Sequence, residues 1–390
     1  MSVDVSSPYT ATWAEQDVVL GEARYRYHFG ADCVDRIAWH LGQYNTDRFL
    51  VVSDENVLGL HGETLLPELA KYAPVEVMGS PAGERMKGLQ ALVTHLERAI
   101  ESGATRRSVV VAFGGGVPGN LAGLVAGLLF RGVRFVHVPT TTVAAMDSTI
   151  SLKQAVNSAR GKNQFGLYHS PHAVFTDVKL MQTLPQAELR SGLGEMIKNC
   201  LAISPQAIPG LRGVLRSGEW NSVDALLWLL AESLAAKCRV MRADTKEQRS
   251  GLILEYGHTV GHALELCDHR LRGPAGISHG EAVAIGLRVA ARVSAALGAM
   301  SVDGVLLHDD LVATLGVGGI PPGISAEDVL AVVRSDNKRG YLNVADGQAP
   351  MVLLRAPGIP LGREDLPLVP VDVDLIGRCV EATINGEVYP

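Results

Sequence analysis

The chain has 390 residues, and its 35 lysines and arginines against 41 aspartates and glutamates give a formal charge of −6. Hydrophobic residues make up 47% and charged residues 19%, a composition typical of globular enzymes and unlike that of disordered proteins. The pI near 6.1 and the lack of a long basic block argue against a nucleic-acid or membrane-surface partner. The length predicts two or three domains.

The cysteines and the N-terminal segment bear on the compartment. Five cysteines are scattered without a CxxC pair: Cys33, Cys200, Cys238, Cys267 and Cys379. Their odd number and spacing argue against a disulfide framework or a cysteine-based zinc site. The N-terminal segment has neither the basic region nor the apolar region of a signal peptide. These features predict a cytoplasmic protein.

Short β-branched runs alternate with helical patterns in the first half of the chain. The predicted strands are 48–53, 75–78, 108–113 and 135–138, and the predicted helices are 85–101 and 121–130. Segment 109–130 carries no charge, but glycines and a proline interrupt it, so we interpret it as strand, turn and helix rather than a transmembrane span. The alternation predicts an α/β domain with a mostly parallel sheet.

The second half of the chain is dominated by helical periodicity. The predicted helices there are 188–203, 222–243, 258–267 and 280–298. We therefore expect an α/β domain over residues 1–184 and a mainly α-helical domain over residues 185–390, with a boundary near Leu184 and Pro185.

A glycine-rich turn follows the apolar strand 108–113 and precedes a helix, with the sequence GGGVPGN over residues 114–120. Glycines let the backbone approach a phosphate, and a helix N-terminus supplies N–H groups that favour an anion. The spacing differs from the GxGxxG fingerprint, and the alternative is a tight turn without ligand. The context favours a site for a dinucleotide pyrophosphate. Thr140 and Thr141 end the next strand, and their hydroxyls would lie at the same edge of the sheet.

Histidines and carboxylates cluster in the helical half. His258 and His262 are four residues apart and share a helical face, His279 opens a further helix, and upstream Glu195 precedes Lys198 by three residues. Two imidazoles plus a carboxylate form the usual ligand set of a catalytic Zn²⁺ or similar ion. Spacing alone nominates His258 and His262 as the ligand pair. The alternative for each histidine is a capping or core role.

Several lysines lie in polar or glycine-rich tracts: Lys153, Lys162, Lys198, Lys237 and Lys338. If these cations converge near a metal, they would suit a phosphorylated substrate. The alternative is that each is a solvated surface lysine.

Eight motifs occur in a fixed order over roughly residues 48–345: GGGVPGNLAG, VPTT, SLKQAVN, RGKNQFG, GEMIKN, EYGHTVGHALE, SHGEAVAIG and SDNKRGY. With them the chain resembles the dehydroquinate synthase-like sugar phosphate cyclases. The resemblance implies an α/β dinucleotide-binding domain that binds NAD and a mainly α-helical C-terminal domain that binds a divalent metal, Zn²⁺ or Co²⁺. It also implies a homodimer.

The resemblance implies metal ligation by Glu195, His258 and His279, which differs from the spacing argument. His262 then becomes a site residue that contacts phosphate or relays a proton. The implied NAD contacts are Asp54, Glu84, Lys87, Gly115, Gly116, Asn120, Thr140, Thr141, Asp147 and Lys162. The residues implied around substrate hydroxyls and phosphate are Lys153, Asn163, Lys198, Lys237 and Lys338.

Three positions depart from the dehydroquinate synthases themselves. Those enzymes carry Asn in place of Glu255, usually Asp in place of Asn120, and an Arg that grips a substrate carboxylate in place of Gly251. The loss of the arginine suits a substrate without a carboxylate. The chain resembles instead the branch that cyclises glucose 6-phosphate at the start of 2-deoxystreptamine aminoglycoside biosynthesis.

The resemblance also implies a reaction order. NAD⁺ takes a hydride from C4, the C4 ketone acidifies the C5 proton, phosphate leaves C6, the hydride returns, and an intramolecular aldol step closes the carbocycle. The metal acts as a Lewis acid. Glu255 binds a sugar hydroxyl or serves as the general base at C5.

Three other functions remain open on the sequence. The first is a cyclase of the same family that acts on a heptulose phosphate or makes dehydroquinate. The second is an NAD- and metal-dependent polyol dehydrogenase, which would release NADH. The third is a non-enzymatic binding protein, which would need neither a general base nor an open metal position.

The predicted role of Glu255 is testable by substitution. We expect Glu255→Gln to abolish carbocycle formation, because an amide cannot accept the C5 proton, while NAD and metal stay bound. Product analysis, together with the NAD and metal content of the purified variant, measures both effects. Full activity of the variant would remove Glu255 from the chemistry.

Overall fold

The computed structural model describes residues 13–158, 161–334 and 340–388. The chain divides into two compact units. The first comprises the residues up to Leu184 together with Asn221–Leu234, and the second comprises Pro185–Trp220 and the residues from Ala235 onward.

The first unit is built on a parallel sheet. Its strands are β1 (Trp13–Leu20), β2 (Ala23–Gly30), β3 (Phe49–Asp54), β4 (Val75–Ser80), β5 (Val109–Gly114), β6 (Arg134–Pro139), β7 (Lys153–Ser158), β8 (Gly161–Tyr168) and β9 (Ala173–Asp177). Seven of them form one sheet in the order β1-β2-β9-β6-β5-β3-β4, in which β1 is antiparallel to β2 and the other neighbours are parallel. β7 and β8 form a separate antiparallel hairpin.

Helices cover both faces of this sheet. They are α1 (Val34–Gly42), α2 (Glu55–Ala70), α3 (Leu89–Glu101) and α4 (Gly116–Leu128). Alternate residues of the central strands enter two separate cores: Val51 and Val111 pack in the core with α1 and α2, whereas Val52 and Ala112 pack in the core with α3 and α4. The continuous apolar strands are thus buried on both faces, which confirms the predicted α/β class.

Two helices of the first unit have bounds that differ from the predicted ones. The pattern over 85–101 contains a short 3-10 turn, Glu84–Lys87, and a separate helix from Leu89, because Gly88 between them is extended (φ −117°, ψ 162°). The helix predicted from 121 begins earlier, at Gly116. It ends before Phe130, whose φ of 52° is incompatible with a right-handed helix.

The uncharged segment 109–130 folds as β5 and α4, in line with the interpretation from sequence. None of the described helices is long and apolar enough to cross a membrane. All five cysteines are buried, and none of them is joined in a disulfide.

The second unit is mainly helical. Its helices are α5 (Gln186–Ala202), α6 (Ile208–Ser217), α7 (Val223–Ala243), α8 (His258–Arg272), α9 (His279–Ala296), α10 (Val302–Thr314), α11 (Ala326–Val333) and α12 (Val373–Asn385), and α7 begins in the first unit. Two small sheets pair β10 (Gln348–Val352) with β13 (Leu368–Asp372), and β11 (Leu354–Ala356) with β12 (Ile359–Pro360). α9 is almost entirely buried and packs against α5, α8, α10 and α12.

A buried arginine joins α9 to the C-terminal segment, for which the sequence offered no interpretation. Arg292 has no exposed surface. Its guanidinium donates to both carboxylate oxygens of Asp309 on α10, at 3.0 and 2.8 Å, and its Nε donates to the Glu387 carbonyl at 2.7 Å. Burial favours a raised pKa for Asp309, but Arg292 and Arg288 outweigh it and hold the pKa below its usual value.

We expect Arg292→Ala to lower the free energy of unfolding by roughly 2–4 kcal/mol, because it leaves a cavity in place of a fully buried side chain and removes the hydrogen bonds to Asp309 and the Glu387 carbonyl, while Arg288 stays bound to Asp309. The matched control is Arg378→Ala, which removes an exposed arginine from α12 and should change stability by less than about 0.5 kcal/mol. Urea unfolding measures both. Equal midpoints for the two variants would contradict the role assigned to Arg292.

Candidate active site

The glycine-rich turn has the geometry of an anion cradle. Gly114 ends β5 with a φ of +146°, and a Cβ there would lie 2.9 Å from Pro118 Cγ, so only glycine fits. α4 begins at Gly116, and its N-cap residue, Gly115, offers no side-chain cap to the first backbone N–H groups. Backbone N–H groups that no side chain caps suit the pyrophosphate of a dinucleotide, so this turn fits NAD.

The neighbouring strand ends bring further predicted residues to this turn. Asp54 ends β3 and its Oδ1 accepts a hydrogen bond from the backbone N–H of Val57 at 3.0 Å. A Cβ on Gly114 would lie 3.7 Å from Asp54 Oδ2, and a Cβ on Gly115 would lie 3.2 Å from Thr141 Cγ2. Thr140 is buried directly after β6. Asp54, the glycines and the threonines therefore meet at the carboxyl edge of the parallel sheet, where open α/β sheets bind ligands.

The side-chain amide of Asn120 makes hydrogen bonds to the backbone of α4 and of β7. Its Nδ2 donates to the Gly116 carbonyl at 2.8 Å, and its Oδ1 accepts from the Ala155 N–H at 3.0 Å. The amide therefore ties the first turns of α4 to β7.

The remaining predicted NAD contacts lie in the same unit. Glu84 accepts a hydrogen bond from Asn157 Nδ2 at 2.7 Å. Lys87 is buried, and burial lowers its pKa, with Glu84 opposing the shift and Lys162 adding to it. Asp147 lies in a π-helical turn, Ala144–Ser148.

The first unit also holds three predicted lysine and amide contacts. Lys153, Lys162 and Asn163 are exposed on the β7–β8 hairpin. Asn163 has a φ of 58°, and its backbone N–H donates to Asn157 Oδ1 at 2.9 Å. Lys338 lies outside the described residues.

In the second unit, a buried carboxylate faces two imidazoles. Glu195 on α5 is 3% exposed, and its Oε1 lies 3.5 Å from His258 Nε2 and 3.3 Å from His279 Nε2. Lys198 Nζ donates to the other oxygen, Oε2, at 2.5 Å. Oε1 has no hydrogen-bond partner among the described residues. A buried carboxylate oxygen opposite two imidazole nitrogens is the arrangement that a divalent metal would satisfy.

The second nitrogen of each imidazole has its own acceptor. His258 Nδ1 lies 3.1 Å from the Tyr256 carbonyl, and His279 Nδ1 lies 2.9 Å from Glu265 Oε2. A carbonyl only accepts, so Nδ1 of His258 carries the proton and its Nε2 keeps a lone pair when the ring is neutral. The donor set of carboxylate and two imidazoles therefore fits Zn²⁺ or Co²⁺.

His262 belongs to the same cluster. Its ring centroid lies 5.0 Å from that of His258 and 5.6 Å from that of His279, and the three histidines present nitrogens within 4.8 Å of one another. The structure thus brings together the pair nominated by spacing, His258 and His262, and the trio implied by the resemblance, Glu195, His258 and His279.

Charged neighbours shift the pKa values of two members of this cluster in opposite directions. Burial favours a raised pKa for Glu195, but Lys198 and the two imidazoles outweigh it and hold the pKa well below its usual value. Burial lowers the pKa of His279, but its contacts with Glu195 and Glu265 outweigh this and raise the pKa to about 10. Glu195 and His279 therefore each favour the charged form of the other.

Glu255 and Lys237 are two further predicted site residues of the second unit. Glu255 ends a 3-10 turn, Ser250–Glu255. Burial lowers the pKa of His258, and the carboxylates of Glu195 and Glu255 oppose that shift. Lys237 is buried on α7.

Backbone contact between helices positions His279. A Cβ on Gly280 would lie 1.8 Å from the Ser191 carbonyl oxygen, and a Cβ on Gly194 would lie 2.1 Å from the Gly280 carbonyl oxygen. The Gly280 N–H donates to Ser191 Oγ at 3.0 Å, and Ser278 caps α9. These small residues let the start of α9 meet α5, which places His279 opposite Glu195.

Sequence reasoning did not assign a role to Glu265, Ser191 or the two glycines. For Glu265 a signal existed, because it follows His258 by seven residues, about two helical turns, and so shares its face. The contact of Ser191 with Gly280 joins two helices and has no local signature.

Two family models match consecutive parts of the chain. The one described as 3-dehydroquinate synthase N-terminal matches residues 77–191, and the one described as 3-dehydroquinate synthase C-terminal matches residues 192–339. A 2-deoxy-scyllo-inosose synthase from Streptomyces paromomycinus is 47% identical over 94% of this chain and 94% of its own length. The chain belongs to the 2-deoxy-scyllo-inosose synthase family.

Solved structures agree with this family. A 2-deoxy-scyllo-inosose synthase crystallised with carbaglucose-6-phosphate, NAD⁺ and Co²⁺ is 32% identical, with a TM-score of 0.87 over 95% of this chain and 100% of that chain. A 2-epi-5-epi-valiolone synthase from Streptomyces hygroscopicus, with NAD⁺ and Zn²⁺ bound, is 23% identical, with a TM-score of 0.81 over 95% and 99%, and shows the same fold. The predicted family and two-part fold are confirmed.

We expect Gly280→Ala to weaken Co²⁺ binding by about 10-fold or more and to destabilise the fold by roughly 1–3 kcal/mol, because the added methyl group forces α9 away from α5. Co²⁺ titration and urea unfolding measure the two effects. The matched control is Gly319→Ala, since a Cβ at Gly319 meets nothing within 4 Å. Parental Co²⁺ affinity in Gly280→Ala would show that the close helix approach does not position His279.

Proposed function

We propose that this chain converts glucose 6-phosphate to 2-deoxy-scyllo-inosose and inorganic phosphate, an early step of aminoglycoside antibiotic biosynthesis. The observation that carries the proposal is the convergence of Glu195, His258 and His279 in a chain that is 47% identical to a 2-deoxy-scyllo-inosose synthase. The enzyme is an NAD- and metal-dependent sugar phosphate cyclase, as the sequence predicted.

NAD and a divalent metal are the cofactors, as expected from the resemblance. When bound, NAD supplies a reversible oxidation of a sugar hydroxyl and the metal supplies a Lewis acid. The residues proposed to hold the metal are Glu195, His258 and His279. The backbone N–H groups at the start of α4 are proposed to hold the pyrophosphate, since no side chain caps them.

Side chains of the protein are proposed to remove the proton, neutralise charge and bind the substrate. Glu255 is proposed as the base that removes the C5 proton, and its carboxylate opposes the lowering of the pKa of His258, one of the proposed metal ligands. Lys198 neutralises Glu195. Lys198 and Lys237 are proposed to bind substrate oxygens or phosphate, since ammonium groups stabilise the departing dianion. His262 is proposed to contact the phosphate or to relay a proton.

Lys153, Asn163 and Lys338 stay as predicted substrate contacts, and the predicted NAD contacts beyond the glycine turn also stay predictions. We also propose a homodimer, which the family resemblance supports. The composition and the scattered cysteines support the proposal of a cytoplasmic location without nucleic-acid or membrane partners.

Incubation of the protein with glucose 6-phosphate, Co²⁺ and a catalytic amount of NAD⁺ should release one phosphate per substrate and form a carbocyclic ketone. NADH should not accumulate, because the hydride returns to the substrate within each turnover. Phosphate release, product mass and nicotinamide absorbance measure these outcomes. Lasting NADH with a polyol would indicate a dehydrogenase, and turnover of a heptulose phosphate alone would indicate another cyclase.

A further inference from the structure

We propose that Glu265 is a positioning residue that accepts the Nδ1–H hydrogen bond of His279 and so directs His279 Nε2 toward Glu195 Oε1. The inference rests on the proposed metal site. It adds a carboxylate–imidazole pair to that site, supplied by α8 and α9.

The contacts form a continuous line of groups. Glu265 Oε2 lies 2.9 Å from His279 Nδ1, and His279 Nε2 lies 3.3 Å from Glu195 Oε1. The Glu265 side chain is 14% exposed, so water screens its contact with the imidazole only weakly. A carboxylate that accepts from one ring nitrogen fixes the proton there and leaves the other nitrogen to face the metal.

His279 needs such an acceptor more than His258 does. The side chain of His279 is 36% exposed, whereas that of His258 is 9% exposed. The acceptor for His258 is a backbone carbonyl. The orientation of His279 therefore depends on one replaceable side chain.

The length and the charge of the side chain at position 265 can be changed separately. Glu265→Gln keeps an oxygen acceptor at the same distance but loses the charge, whereas Glu265→Asp keeps the charge but withdraws the oxygen by one methylene group. A positioning role requires the acceptor to reach the ring. A purely electrostatic role requires only a negative charge nearby.

The experiment titrates Co²⁺ alone into metal-depleted parent protein and into Glu265→Gln, Glu265→Asp and Glu265→Ala. We expect Glu265→Ala and Glu265→Asp to weaken Co²⁺ binding by about 10- to 100-fold and to change the visible absorption of bound Co²⁺. Glu265→Gln should stay within about 5-fold of the parent, because the acceptor remains. The control Glu381→Ala, which removes an exposed carboxylate from α12, should bind like the parent.

Each outcome has one meaning. Parental affinity and spectrum in Glu265→Ala, or weaker binding in Glu265→Gln than in Glu265→Asp, would overturn the positioning role. If Glu265→Ala does not fold by circular dichroism, the order of the Gln and Asp variants decides alone. Failure of the parent protein to bind Co²⁺ would instead overturn the proposed metal site.

Discussion

The structure of the second unit depends on the burial of one carboxylate. Removing the charge of Glu195 from water is costly, and a buried carboxylate persists only where cations and polar hydrogens surround it. Lys198 from the same helix donates to one oxygen of this carboxylate, and the imidazoles of α8 and α9 face the other. Three helices must therefore meet at this carboxylate, and the glycines of α5 and α9 are what let their backbones come close enough.

The same arrangement prepares the cluster for a divalent ion. Lys198 and the two imidazoles hold the pKa of Glu195 well below its usual value, so Glu195 is ionised at neutral pH, which is the form that binds a metal. The candidate anion site of the first unit is built differently. Its binding groups are backbone N–H groups of a helix N-terminus and a glycine turn, not side chains.

Local patterns predicted much of this molecule. The apolar run of β5 and the glycines after it are visible in sequence because strand, turn and helix follow one another directly. His258 and His262 are visible as a pair because they are one turn apart. The contact of Glu265 with His279, and that of Ser191 with Gly280, were not predicted, because each joins separate helices through tertiary packing. The N-terminal hairpin was missed because β1 and β2 carry polar residues at an edge of the sheet.

Asn120 has a consequence for the coupling of two segments of the first unit. Its amide donates to the turn that begins α4 and accepts from the strand that carries Lys153. An aspartate at this position could still accept from Ala155 but could not donate to Gly116, so the side chain would keep its bond to β7 and lose its bond to the first turn of its own helix. One planar amide therefore fixes the first turn of α4 and the β7–β8 hairpin against each other.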